Sequence, residues 1–150
     1  MKKIVFLLSV AFFSISLSAQ IIAKVELKEP IEGLCNYQKV YAILPMMEKQ
    51  KEAVPPVSKE KILQKLNEVK FLKENPKHKG KGTIKLFINC KGEVVEYEIT
   101  GKTKSKELDD QFVEVFKSLG IWTPAVFYDK KVDSIILLSF RIKKGKVSWE

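Results

Sequence analysis

The sequence has 150 residues, with 27 Lys and Arg against 18 Asp and Glu, a formal charge of +9 and 45% hydrophobic residues. Acids lie between the lysines along the whole chain, which argues against a nucleic-acid groove and for a solvated basic surface. One histidine and two cysteines, with no metal-ligand cluster and no nucleophile motif, argue against an enzyme; the expectation is no catalytic residue, no cofactor and no metal.

Lys2 and Lys3 precede an apolar run over residues 4–17 and then Ser18, Ala19 and Gln20, the order of an export signal. We therefore expect a signal peptide over residues 1–19 and a periplasmic mature chain; the alternative is a retained inner-membrane anchor. Residues 20–57 read as an N-terminal extension without a clear element pattern. Residues 25–28 alternate as a short strand would, Pro30 ends them, and the apolar stretch over residues 37–47 is interrupted by Pro45. Cys35 and Cys90 both follow the signal, so a disulfide is the natural hypothesis in an oxidising compartment. Two buried free thiols are the alternative, because sequence supplies no Cα separation.

The main domain spans residues 58–150. Residues 58–73 have helix signals: Ser58 as cap, Glu60 in the first turn, and Ile62, Leu63, Leu66 and Val69 on one face, before Asn75-Pro76 stops them. His78, the only histidine, sits in a basic lead and reads as a solvent-facing residue. A hairpin follows. With Lys91-Gly92 as a two-residue loop, Ile88 opposes Val95, Leu86 opposes Tyr97 and Ile84 opposes Ile99 on the core face, while Lys85 opposes Glu98 toward solvent.

Ser105 caps a second helix, in which Leu108, Phe112, Val115, Phe116 and Leu119 form a core stripe and Gly120 a stop. Asp109 and Asp110 suit the helix dipole; adjacent helical positions diverge, so they do not form an acid–base pair. Trp122 covers the core end and Pro124 directs the chain into a last strand. There Ser134, Ile136, Leu138, Phe140 and Ile142 face the core, and Asp133, Ile135, Leu137, Ser139 and Arg141 face away.

The run over residues 82–142, with its Gly-led strand, Gly92 turn, Leu108-Asp109 helix start, Trp122-Thr123-Pro124 and final strand containing Phe140, resembles the C-terminal domain of TonB in its Bacteroidetes-like form. The resemblance implies an α+β fold: a three-stranded antiparallel sheet packed against two helices as a two-layer sandwich. It also implies a non-enzymatic periplasmic protein-binding module, linked to outer-membrane receptors or transport, that takes an extended peptide as an added strand. The matching edge is Ile135, Leu137, Ser139 and Arg141, with Gly92, Trp122 and Pro124 as structural positions. Expected partners are an outer-membrane receptor peptide or another envelope protein, with peptidoglycan or an anionic membrane surface as further candidates, and no nucleic acid. The alternative is that the tail over residues 143–150, including Trp149, or the N-terminal segment caps that edge. A membrane-anchored energy transducer with a short linker is the second functional reading; the short spacer before residue 58 and the absence of a long proline-rich stretch favour the detached module.

Overall fold

The computed structural model describes residues 23–43 and 49–150; the expected signal peptide lies outside the described residues. Along the chain run β1 (Ala23–Val25), β2 (Val40–Ala42), β3 (Gln50–Lys51), α1 (Lys59–Asn67), α2 (Lys70–Glu74), β4 (Gly80–Ile88), β5 (Val94–Gly101), α3 (Lys106–Lys117), β6 (Ala125–Phe127), β7 (Lys130–Lys143) and β8 (Lys146–Trp149). No helix among the described residues is long and apolar enough to cross a membrane.

The α+β class is as expected, but the three-stranded antiparallel sheet against two helices is not what forms. Among the described residues eight strands make one mixed sheet, whose main order is β1-β2-β7-β4-β5, and three helices accompany it. The three anticipated strands are β4, β5 and β7. The others add at the margin of β7: β2 runs parallel to it, while β6 and β8 pair with it antiparallel. These additions are strands of two to four residues, too short to carry a period of their own.

One face of the sheet carries the core. Ile84, Leu86, Ile88, Phe140 and Ile142 pack against Ile62 and Leu66 of α1 and Leu108, Phe112 and Phe116 of α3, all buried. The rings of Phe112 and Phe140 meet edge to face at 4.8 Å, which joins α3 to β7 at the centre of the core. Ser105 caps α3 through its hydroxyl, which accepts from the Leu108 amide at 3.3 Å, and Gly120 takes φ 89° past the helix end.

The single helix expected over residues 58–73 is divided. Ser58 caps α1 by accepting from the Lys61 amide at 3.3 Å, but Val69 is extended (φ −62°, ψ 147°). The Phe71 amide then donates to Gln111 Oε1 at 3.0 Å, so a tertiary bond to α3 replaces a turn of helix.

The hairpin register is as expected at Leu86–Tyr97, Ile84–Ile99 and Lys85–Glu98, the last an ion pair, but not at the loop. Ile88 pairs with Val94 rather than Val95, with a register shift between Phe87 and Ile88. The loop is three residues, Cys90 to Gly92. Asn89 closes it: its amide donates to Glu93 O at 2.9 Å, its carbonyl accepts from Gly92 at 2.9 Å, and its Oδ1 accepts from the amides of Lys91 and Glu93. Gly92 at φ 89° completes this turn-and-bulge form. A Cβ on Gly92 would lie 1.9 Å from Trp122 O, so the same glycine lets the segment after α3 seat on the hairpin.

Candidate functional site

β7 is long enough to meet several partners in turn. Along one margin β4 pairs with it continuously, from Ile88–Ser134 to Gly80–Ile142. β6 takes Lys130 to Val132 at the start of the strand, and the margin opposite β4 is shared: β2 takes Asp133 and Ser134, and β8 takes Phe140 to Lys143. The Glu150 amide extends the last of these by donating to Ser139 O at 3.0 Å. Between them, residues 135–138 have no strand partner on this margin among the described residues.

The phase of the backbone there follows from the β7–β8 hairpin. Lys143 and Lys146 close a two-residue turn whose Lys144 and Gly145 have φ 51° and 69°, and such a turn is closed by a hydrogen-bonded pair. Hydrogen-bonded pairs recur every second residue, at Arg141 and then Ser139, which is where the Glu150 bond falls. Two residues further, Leu137 is in the same phase, so its N–H and C=O point away from β4 and into the gap.

A cavity of about 360 Å³ opens at this gap. Ile43, Ala53, Ile62, Trp122 and Trp149 wall it beside residues 135–138, with Glu52 and Lys59 at its charged positions. Its ends are held by tertiary bonds. Asn67 on α1 fixes β8 by donating to Val147 O at 3.2 Å and accepting from the Val147 amide at 2.8 Å. Val54 and Thr123 exchange two backbone bonds of 2.9 Å beside Trp122. Trp122 is buried, and its indole N–H has no acceptor among the described residues. Leu137 is 61% exposed, an apolar side chain left outside the core by strand alternation. Residues 44–48, which follow Ile43, lie outside the described residues.

Of the four edge residues expected from sequence, Ile135 and Leu137 border the gap and Ser139 and Arg141 do not. Ser139 spends its carbonyl on Glu150 and its hydroxyl on Thr83 Oγ1 at 3.0 Å. Arg141 pairs with Ser148 in β8, and its guanidinium binds the Glu150 carboxylate. Lys81 Nζ reaches the same carboxylate at 2.9 Å, and together the two cations hold Glu150 below the ordinary carboxyl value. The tail thus caps one end of the margin and β2 the other, and among the described residues only the middle stays open. Pro124 is buried and leads directly into β6.

Cys35 and Cys90 form a disulfide with a Cα separation of 6.0 Å, bridging 55 residues of sequence. Asp133, 2% exposed, sits beside it. Its Oδ2 accepts from the Asn36 amide at 2.5 Å and its Oδ1 from the Cys90 amide at 2.8 Å. The two sulfurs and the carboxylate lie within 4.8 Å of one another, a spacing a metal would accept. Here the sulfurs bond each other and both oxygens accept amide bonds, so the cluster acts as a clamp. It fastens the loop before β2 to the hairpin loop, and Asn89 Nδ2 adds a bond to Gly33 O at 2.9 Å. Sequence reasoning placed Asp133 on the outward face and missed this role; no local signal in the chain marks it. The aspartates of α3 diverge as expected: Asp109 accepts from the Thr103 amide at 3.0 Å and Asp110 pairs with Lys106. His78 is only half-buried but not free in solvent, since its Nε2–H donates to Thr103 O at 3.1 Å.

No protein-family model, curated protein or solved structure matches the chain.

Proposed function

We propose that the chain is a non-enzymatic envelope protein-binding module of the TonB C-terminal type, which takes an extended segment of a partner as a short added strand on β7. The observation that carries this reading is the interruption, among the described residues, in the pairing of β7 at residues 135–138, opening on an apolar cavity. Unpaired backbone groups supply affinity without regard to sequence, and a pocket beside them selects one side chain. The gap admits only a few residues, so recognition is of a short peptide with one apolar anchor. The disulfide fits an oxidising compartment such as the periplasm, and the sequence resemblance points to outer-membrane receptors or other envelope proteins as the source of the peptide.

Proline at Leu137 is a selective probe. It removes the N–H that faces the gap and leaves the bonds to β4, which come from the neighbouring phase. Envelope extracts passed over the mature protein and over Leu137→Pro, with the disulfide and thermal midpoint checked in both, should yield a partner only for the former. Equal recovery by a folded Leu137→Pro protein would rule out strand addition at this margin.

A further inference from the structure

The end of the sheet remote from the disulfide gathers cations from three strands. β4 begins there, β5 ends there, and β7 turns there into β8, because Gly80 pairs with Ile142, Lys81 with Arg141 and Thr83 with Gly101. Lys79, Lys81, Lys102, Lys104, Arg141 and Lys143 line one shallow cleft of about 500 Å³. Lys81 and Arg141 share the carboxylate of Glu150. Among the described residues Lys79, Lys102, Lys104 and Lys143 are in no ion pair and are exposed.

The lysines of the β5–α3 turn are held in place. Between Lys102 and Lys104, Thr103 is fully buried: its amide donates to Asp109 Oδ1, its hydroxyl to Ser105 O at 3.0 Å, and its carbonyl accepts from His78 Nε2. Gly80 permits this close approach, since a Cβ there would lie 2.6 Å from Thr103 O. Lys104 adopts φ 74°, an unfavourable region for a residue with a side chain, and the anchored Thr103 fixes it there. The cations on either side of Thr103 are thus presented by a rigid turn.

We propose that this pole is a docking surface for the phosphate headgroups of an anionic membrane. Lysine ammonium groups are point charges that satisfy interchangeable phosphates without a fixed geometry, as an array of mobile headgroups requires. The cleft lining contains no aromatic side chain on which a nucleic-acid base would stack, and its one guanidinium is already bound to Glu150. Stacking rings and free guanidinium forks are the groups that most often hold a base, and this cleft offers neither. The proposal is independent of strand capture at residues 135–138, and either stands without the other.

Sedimentation with vesicles tests it. The mature protein should pellet with phosphatidylcholine–phosphatidylglycerol vesicles at low salt, stay in solution with phosphatidylcholine alone, and be released by high salt. At about fivefold per cation near an anionic surface, the exposed triple variant Lys79→Glu, Lys102→Glu, Lys104→Glu should lose at least about a hundredfold in binding. A charge-matched variant on other exposed lysines, Lys51→Glu, Lys61→Glu, Lys131→Glu, should bind nearly as wild type. Milder Lys102→Gln, Lys104→Gln changes should still weaken binding by more than about tenfold, which covers the case of a misfolded triple variant. Equal loss in the two triple variants would reduce the effect to net charge and overturn the proposal. So would failure of the wild type to bind the anionic vesicles, tighter binding to a soluble polyanion such as heparin, or release by inorganic phosphate at millimolar levels.

Discussion

The Cys90 amide donates to Asp133 Oδ1 at 2.8 Å, so the strand that carries the open gap is tied at its start to the loop that carries the disulfide. The second oxygen of Asp133 takes the Asn36 amide, one residue from Cys35. Both sides of the covalent bridge are therefore held by one buried carboxylate. An amide side chain has a single acceptor oxygen, and its NH₂ would face an N–H. Asp133→Asn should accordingly cost about 1–3 kcal/mol in urea unfolding, the penalty of leaving a buried donor unmet.

Removal of the disulfide should cost more. A bridge across 55 residues of sequence stabilises by about 4 kcal/mol if it acts through chain entropy alone. The paired change Cys35→Ser, Cys90→Ser should lower stability by about 2–4 kcal/mol. Combined with Asp133→Asn the losses should fall short of additive, since the carboxylate and the bridge restrain the same two loops. A strictly additive cycle would show that Asp133 acts elsewhere.

The long elements were legible because each repeats its signal. The stripe from Leu108 to Phe116 repeats along α3 and continues at Leu119 just past its end, and the alternation from Ser134 to Ile142 selects the core face of β7. What surrounds β7 was not. β2 is three residues whose pairing with Asp133 and Ser134 rests on a parallel register and a disulfide, neither of which a local pattern encodes. The break at Val69 between α1 and α2 goes with a bond from Phe71 to a glutamine forty residues later, and the Ile88–Val94 shift follows from the conformation of Gly92. The gap itself is a relation among β2, β7 and β8. Sequence located Ile135 and Leu137 on the correct strand, but could not show that the tail closes over Arg141.

Gly92 and Gly120 have the same φ of 89° and should respond differently to alanine. At Gly120 nothing lies within 4 Å of an added Cβ, so Gly120→Ala should cost only the left-handed backbone penalty, about 1–2 kcal/mol. At Gly92 the Cβ would meet the Trp122 carbonyl at 1.9 Å, and that carbonyl belongs to the residue whose amide bonds Gly92 O at 2.8 Å. Gly92→Ala should therefore exceed Gly120→Ala by a wide margin and blue- or red-shift Trp122 fluorescence. Similar thermal midpoints for the two variants would contradict the close approach.

Trp122 fills the core end at 3% exposure while its indole N–H goes unpaired among the described residues. Phenylalanine keeps most of the apolar volume and deletes the orphaned donor, so Trp122→Phe should cost less than about 1.5 kcal/mol, whereas Trp122→Ala should cost about 3–5 kcal/mol by leaving a cavity. A large loss in Trp122→Phe, measured by chemical denaturation, would mean that the N–H has an acceptor after all.

Glu150 predicts a pH dependence whose sign is set by its neighbours. Hydrogen bonds from Arg141 first, then Lys81, hold its carboxyl below the ordinary value of 4.5. A carboxyl with a depressed folded-state pKa contributes stability that is complete above the unfolded value and is lost as pH falls through the folded one. The thermal midpoint of the wild type should thus exceed that of Glu150→Gln at neutral pH, and the two should converge on acidification below 4.5. The difference should be small and shrink with salt, because the group is exposed. Because the same carboxylate ties the tail to Arg141 and Lys81 and neutralises part of the cationic pole, Glu150→Gln should also strengthen binding to phosphatidylglycerol vesicles while slightly loosening the tail; stronger vesicle binding without any pH-dependent change in midpoint would separate the electrostatic role of Glu150 from its structural one.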